Sequence, residues 1–291
     1  MQSNVSDFPE PGLYPTMPAE AYHSIEAMSS GGAKKILKSP AHYKLMRTKK
    51  NEPTPAMQFG TVTHTGVLEP HRFALSCISV PDDAPKRPTS AQRNARKPSL
   101  ETLESIDFWE GFDKASAGRI VLSASDFARA RRTIDAVLSH RGARALLDGA
   151  TVEESVFWRD ERYGVPCKAR FDARNHGGLI DLKSTQDASP EDFARDAAKY
   201  LYHSQAAHYS YGAEATFGKT PEFFAFIAAE TDEPHGVACY ALPENALHMG
   251  RHLMARAMGR YAHALSVGEF QSYPDTIETL RLPAYALKFD V

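Results

Sequence analysis

The chain has 291 residues, 42% apolar and 24% charged, enough to bury a substantial core without crosslinks, and its composition excludes collagen-like, coiled-coil and wholly disordered chains. Its 34 basic and 36 acidic residues leave a net charge of −2, so it is no polycation and any nucleic-acid surface must be a local patch. Cys77, Cys167 and Cys239 are far apart with no C-x-x-C pair, which argues against a disulfide framework and a four-cysteine metal site and predicts a reducing, cytoplasmic setting.

Residues 1–20 carry Pro9, Pro11, Pro15 and Pro18 and predict an extended arm, without the basic start and apolar run of a signal peptide. The remainder, 21–291, reads as one domain, helical to about residue 150 and then sheet with helices. Ser29 and Ser30 cap a short helix that Pro40 interrupts and that resumes to about Met46. Lys34, Lys35 and Lys38 on it are either a solvated face or phosphate contacts. After a loop over 51–55, FGTVTHTGVLEP puts Gly60, His64, Val67 and Leu68 on one helical face, and Glu69-Pro70 stops it. SCISVP reads as a strand. KRPTSAQRNARK (86–97) has five basic residues and no acidic one, and its prolines predict a loop or lid. Lys86, Arg87, Arg93, Arg96 and Lys97 are DNA-binding candidates, with a solvated charge run as the competing reading. Segments 99–118 and 125–148 have helical patterns.

From residue 151 the texture changes. Strands over 153–159, 165–173 and 178–184, separated by Gly-containing turns, predict an antiparallel meander. Ser189-Pro190-Glu191-Asp192 starts a helix with a cap, an N1 proline and acids at the positive end, and helices fill 190–217 with a break near Tyr200. A strand pair follows over 221–230 and 236–242, then a helix over 244–267 closed by Gly268. No apolar run approaches the roughly 18 residues of a membrane span.

The chemistry concentrates in CKARFDARNHGGLIDLKST (167–185). Strand alternation puts Asp181 and Lys183 on one face, with Ile180 and Leu182 directed into the core. A hairpin through Asn175-His176-Gly177-Gly178 brings Asp172 beside Asp181. Two adjacent carboxylates repel unless a cation lies between them, and hard oxygen ligands suit Mg²⁺ or Mn²⁺. A neighbouring ammonium can orient water and balance developing charge. A lone D-x-K also suits a surface salt bridge; Glu154 on the preceding strand and His64 on its helix make a metal-binding cluster the sharper reading. Gln205 and Tyr209 share a helical face at i, i+4, which serves either a catalytic carboxylate, lysine or phosphate, or an ordinary buried contact.

The order of FGTVTH-T-GVLEP, E-x-S-x-x-W (Glu154, Ser155, Trp158), C-K-A-R-F-D, I-D-L-K-S-T, D-A-S and Y-H-S-Q-A-A-H-Y resembles the RecE-type exonuclease VIII nuclease domain, a RecB-like branch of the PD-(D/E)XK nucleases. S-P-A-H-Y (39–43) and L-P-A-Y-A (282–286) extend the likeness from about Tyr22 to the C-terminus. The resemblance implies an α/β fold: a PD-(D/E)XK core with a central mixed β-sheet flanked by helices, an N-terminal helical extension, and the active site on one sheet edge. It implies His64, Asp172 and Asp181 as metal ligands, with the Leu182 carbonyl and Glu154 as further candidates. Lys183 corresponds to the catalytic lysine, and Gln205 and Tyr209 to the Q-x-x-x-Y motif. Asp181 stands where many relatives have Glu. The cofactor implied is Mg²⁺ or Mn²⁺, with no iron–sulfur cluster. The substrate implied is linear double-stranded DNA, resected 5′ to 3′ in phage-type recombination. The partners implied are a single-strand annealing protein and a homo-oligomeric ring. A structure-specific endonuclease and a non-catalytic DNA-binding recombination protein are the alternatives.

Overall fold

The computed structural model describes residues 8–49, 52–175 and 177–282. Six strands form the central sheet, in the order β1 (Gly12–Tyr14), β4 (Thr151–Arg159), β5 (Pro166–Asn175), β6 (Gly178–Thr185), β7 (Phe224–Glu230) and β8 (Val237–Ala241). Neighbours are antiparallel except β6 and β7. A two-stranded parallel sheet pairs β2 (Cys77–Ser79) with β3 (Ile120–Leu122). The mixed sheet and the antiparallel β4–β5–β6 meander agree with the reading of strands over 153–159, 165–173 and 178–184. The arm differs: Gly12–Tyr14 pairs with Ser155–Phe157 as an edge strand. Residues 1–7, His176 of the hairpin turn and the 283–286 part of L-P-A-Y-A lie outside the described residues.

The helices are α1 (Ala19–Ser24), α2 (Ser30–Lys38), α3 (Pro40–Thr48), α4 (Pro55–Leu68), α5 (Phe73–Ser76), α6 (Ser90–Arg93), α7 (Leu100–Ala115), α8 (Ala124–Ser139), α9 (Arg141–Leu147), α10 (Pro190–Lys199), α11 (Tyr202–Phe217) and α12 (Glu244–Val267). Their starts follow local chemistry. Ser29 Oγ accepts from Gly32 N–H at 3.2 Å, Ser39 caps α3 ahead of Pro40, and Thr54 caps α4 ahead of Pro55. Between α10 and α11 the break falls at Tyr200 and Leu201, with Leu201 left-handed at φ 55°.

Both sheet faces are covered. One carries Val156, Cys167, Ala169, Phe171, Leu179 and Phe226 beneath α11, with α2 and α12 packed behind. The other carries Ala173, Ile180, Leu182 and Ile227 against α4 and α8. Gly66 lets α4 and α8 approach, because a Cβ there would stand 2.2 Å from Ile134 Cδ1. The helices before residue 150 are therefore walls of the sheet. Two expectations change. Asp172 and Asp181 lie on β5 and β6, the middle strands, so the site is not at the sheet's edge. The 86–97 segment is not wholly loop: Ser90–Arg93 forms one helical turn closed by a Thr89–Gln92 capping box. Among the described residues no helix is long and apolar enough to cross a membrane.

Candidate active site

β5 and β6 part in the middle of the sheet. Their pairing runs from Asn175–Gly178 to Ala173–Ile180, and Gly177 supplies the turn at φ +79°. Beyond that point Asp172 Oδ2 accepts the Leu182 N–H at 2.9 Å, a side chain standing in for a ladder carbonyl. β4 occupies one edge of β5, so Met28 takes the edge that β6 leaves. Its N–H donates to the Pro166 carbonyl at 2.8 Å and its carbonyl accepts from Lys168 N–H at 2.9 Å. That splice brings α2 to the opening.

The parted strands present their polar groups there. Asp181 is sealed, with 1% side-chain exposure, and lies against the Lys183 ammonium. Gln205 from α11 bridges the pair, donating Nε2–H to Asp181 Oδ1 at 2.7 Å and accepting from Lys183 Nζ at 3.3 Å. On the far side His64 Nδ1 stands 3.5 Å from Asp172 Oδ2; their side chains keep 28% and 16% exposure, and that of Lys183 keeps 17%, so solvent reaches all three. Tyr209, one turn after Gln205, packs edge-on to Phe171 with ring centroids 5.6 Å apart.

The electrostatics follow from crowding. Burial, reinforced by the Asp181 charge, raises the Asp172 carboxyl well above the usual carboxylate range. Burial and the Lys183 charge lower the His64 imidazole. Burial works against the Lys183 ammonium, but Asp181 and Asp172 outweigh it and hold its pKa above the ordinary lysine value. The phenol of Tyr209 is pushed well up by burial and by neighbouring Tyr22, Asp181 and Asp172.

The sequence reading missed Glu153. It takes a left-handed φ of 55° inside β4, which turns its carboxylate to the opening beside His64 and Asp172. Ligand atoms of these three lie within 4.8 Å of one another. Arg170 of β5 holds Glu153 and also donates to the Met17 carbonyl at 2.8 Å. Glu154, the expected acid, points to the opposite face and forms a forked ion pair with Arg174 at 2.8 and 3.0 Å. The signal was present: in E-x-S-x-x-W, fixing Ser155 and Trp158 puts the acid at 153.

These donors fit a hard divalent cation. Two carboxylates and an imidazole converge, and burial with the nearby Asp181 charge disfavours the Asp172 carboxylate unless a cation joins it. The group separates two cavities. Lys183 and Gln205 face a cleft of about 1560 Å³ shared with Lys34 and Tyr202, whereas Asp172, Glu153 and Tyr209 line one of about 390 Å³ with Lys168 and Arg170.

The basic segment is not part of this lining. Arg87 is committed to Asp113, at 2.8 and 2.7 Å, and stacks 4.0 Å above Trp109. Lys86, Arg96 and Lys97 are exposed and Arg93 is half-buried. Because β2 and β3 are parallel, the segment departs from the end where Leu122 and Ser123 border the large cleft.

A family model described as a PDDEXK-like domain of unknown function (DUF3799) matches residues 29–283. No curated protein matches the chain. The solved structure of a "putative exonuclease" from Eubacterium rectale aligns with a TM-score of 0.57 at 15% identity, covering 95% of this chain and 99% of that one; the likeness is one of fold. A second solved structure, SSO0001, aligns at 18% identity over 69% of this chain and 85% of that one, with a TM-score of 0.28, too low to bear on the fold.

Proposed function

The chain belongs to the PDDEXK-like domain family, and from that premise we propose that it is a divalent-metal-dependent exonuclease hydrolysing phosphodiester bonds of linear double-stranded DNA. The observation that carries the reading is the pairing, at the parting of β5 and β6, of the Asp181–Lys183–Gln205 triad with the His64–Glu153–Asp172 donor set. The nuclease fold and the fold likeness support it.

In this reading His64, Glu153 and Asp172 hold the ion, with Asp181 and the Leu182 carbonyl completing its surroundings. Bound there, Mg²⁺ or Mn²⁺ supplies Lewis-acid stabilisation of phosphoryl charge and acidifies water. Lys183 donates to the attacking water or to a non-bridging phosphoryl oxygen. Asp181 and Gln205 fix the direction of its ammonium, and burial among apolar layers strengthens that contact. Arg170 keeps Glu153 turned inward. Tyr209 closes the smaller cavity and holds the Gln205 side of the helix in place. Asp181 has one methylene less than the Glu of many relatives in the wider superfamily, which the RecE-type resemblance leads one to expect. Resection from 5′ to 3′, a single-strand annealing partner, a homo-oligomeric ring and a cytoplasmic site of action extend the proposal through the RecE-type resemblance.

The deciding test offers end-labelled linear duplex and covalently closed circular duplex to the protein, with and without Mg²⁺. Linear DNA should be digested only with metal, and closed circles should survive. Lys183→Ala and Asp172→Ala should each abolish digestion while leaving a folded protein. Nicked circles would mark an endonuclease on the same scaffold. DNA binding without cleavage of any substrate would mark a non-catalytic recombination protein.

A further inference from the structure

We propose that Lys34 of α2 is a substrate-binding residue of the large cleft, receiving a backbone phosphate of the DNA strand being cut. The assignment rests on the nuclease reading above and deepens it. Of the three lysines on α2, Lys35 and Lys38 face solvent, whereas Lys34 is half-buried and lines the cleft with Lys183 and Gln205. Its Nζ lies 5.5 Å from the centroid of the Tyr202 ring, and Lys183 Nζ lies 4.9 Å from the same centroid. One aromatic ring thus serves two ammonium groups. That ring is a fixed post: left-handed Leu201 sets Tyr202 at the first position of α11, stacked on Tyr200 and packed against Phe193 and Phe226.

The two lysines differ in what neutralises them. Lys183 has Asp181 and Gln205. Among the described residues Lys34 has no carboxylate within 4.0 Å and no hydrogen-bond acceptor. The cleft's own acids are occupied elsewhere: Asp126 and Asp232 hold Arg129, and Asp196 accepts from Thr185. A half-buried ammonium beside another ammonium, with a π cloud against it and Asp181, the acid that acts on it, already paired to Lys183, is under-compensated positive charge in a desolvated place. Burial and the Lys183 charge lower its pKa to about 8, the same imbalance seen from the proton's side. A phosphodiester is the anion that the nuclease reading brings into this cleft. Lys34 is also well anchored to receive it, since the Met28 splice ties the start of α2 to β5.

The test uses the full chain and an end-labelled linear duplex. Binding is read by fluorescence anisotropy in Ca²⁺ across a salt series, and cleavage is read separately in Mg²⁺. Lys34→Gln should weaken binding about tenfold and reduce the slope of log affinity against log salt by about 0.9, the loss of one phosphate contact. Lys34→Arg should stay near wild type, and Lys35→Gln, on the exposed side of the same helix, should change affinity less than about twofold. Unchanged affinity and slope in Lys34→Gln overturn the proposal. So does weaker binding with an unchanged slope and no rescue by arginine, which marks a packing role. If Lys34→Gln does not fold, Lys34→Met keeps the aliphatic stem and is judged by the same criteria. A wild-type protein that cleaves normally beside an unaffected Lys34→Gln removes Lys34 alone. A wild-type protein that neither binds nor cleaves duplex removes the nuclease reading and Lys34 with it.

Discussion

Two regions of this chain carry concentrated charge and hold it in opposite ways. At the parting of β5 and β6, each ionisable group is gripped inside packed layers: Asp181 by Lys183 and Gln205, Glu153 by Arg170, Asp172 by the Leu182 amide. Between β2 and β3, residues 80–119 leave the small sheet, and most of their basic side chains stand in water. The inner group is held by these polar partners between apolar layers, and burial amplifies its electrostatics. The outer charges are screened by salt, and only the local run over 86–97, with five basic residues and no acidic one, is electropositive. On the proposed reading the first region serves chemistry and the second serves attraction of the duplex, so substitutions in each should differ in kind.

The sharpest way to break that contrast is to exchange two adjacent acids that the backbone sends to opposite faces. Glu153→Gln should lower metal-dependent cleavage about a thousandfold with little change in melting temperature, since a cation-binding group is lost from a solvent-reached opening. Glu154→Gln should do the reverse. Glu154 is 5% exposed and neutralises Arg174, so its loss should cost about 1–3 kcal/mol of stability while the folded fraction keeps its activity. Kinetics paired with urea unfolding for each variant separates the two outcomes. Equal activity losses in both would mean that the two faces are not functionally distinct.

That pair also marks how far the sequence could be read. Elements written in local chemistry were legible: the Pro40 interruption between α2 and α3, the Ser189-Pro190 start of α10, the break at Tyr200, and the hairpin that aligns Asp172 with Asp181. Proline, glycine and period-two alternation act over a few residues, so they survive without tertiary context. What failed depended on distant packing. Strict alternation cannot register the φ 55° turn at Glu153, which redirects one acid and changes the phase of β4. Nothing local to β6 announces that the Asp181 face lies beneath α11, or that the N-terminal segment fills the gap beside β5. Nor does a run of five basic residues reveal that Asp113, 26 positions away, engages one of them.

His208 tests the inner region by pH. Its ring is buried against Trp158, its Nε2 meets the Lys168 carbonyl at 3.0 Å, and burial lowers its pKa from 6.5 to about 4. The unfolded chain binds this proton first as pH falls. Stability is therefore fully present above about pH 6.5 and declines toward pH 4, by about 3 kcal/mol from this group. Urea unfolding at pH 7, 6, 5 and 4 should show the decline. His208→Gln should be less stable at pH 7 but lose that part of the slope; a variant retaining the full wild-type slope would assign it to other groups.

The outer region should give the smallest effects and a graded one. Joint replacement of Arg93, Arg96 and Lys97 by Ala should reduce duplex affinity several-fold at low salt, flatten its salt dependence, and leave kcat on saturating linear duplex unchanged. Arg87→Ala should change neither affinity nor kcat, because the Asp113 carboxylate already neutralises that guanidinium and Trp109 covers its face. Its consequence should be confined to the segment, as faster amide exchange around Lys86 and Trp109 with the global melting temperature unmoved. If Arg87→Ala weakens DNA binding as much as the triple replacement does, the ion pair must open on the duplex, and the segment is a rearranging clamp rather than a tethered field.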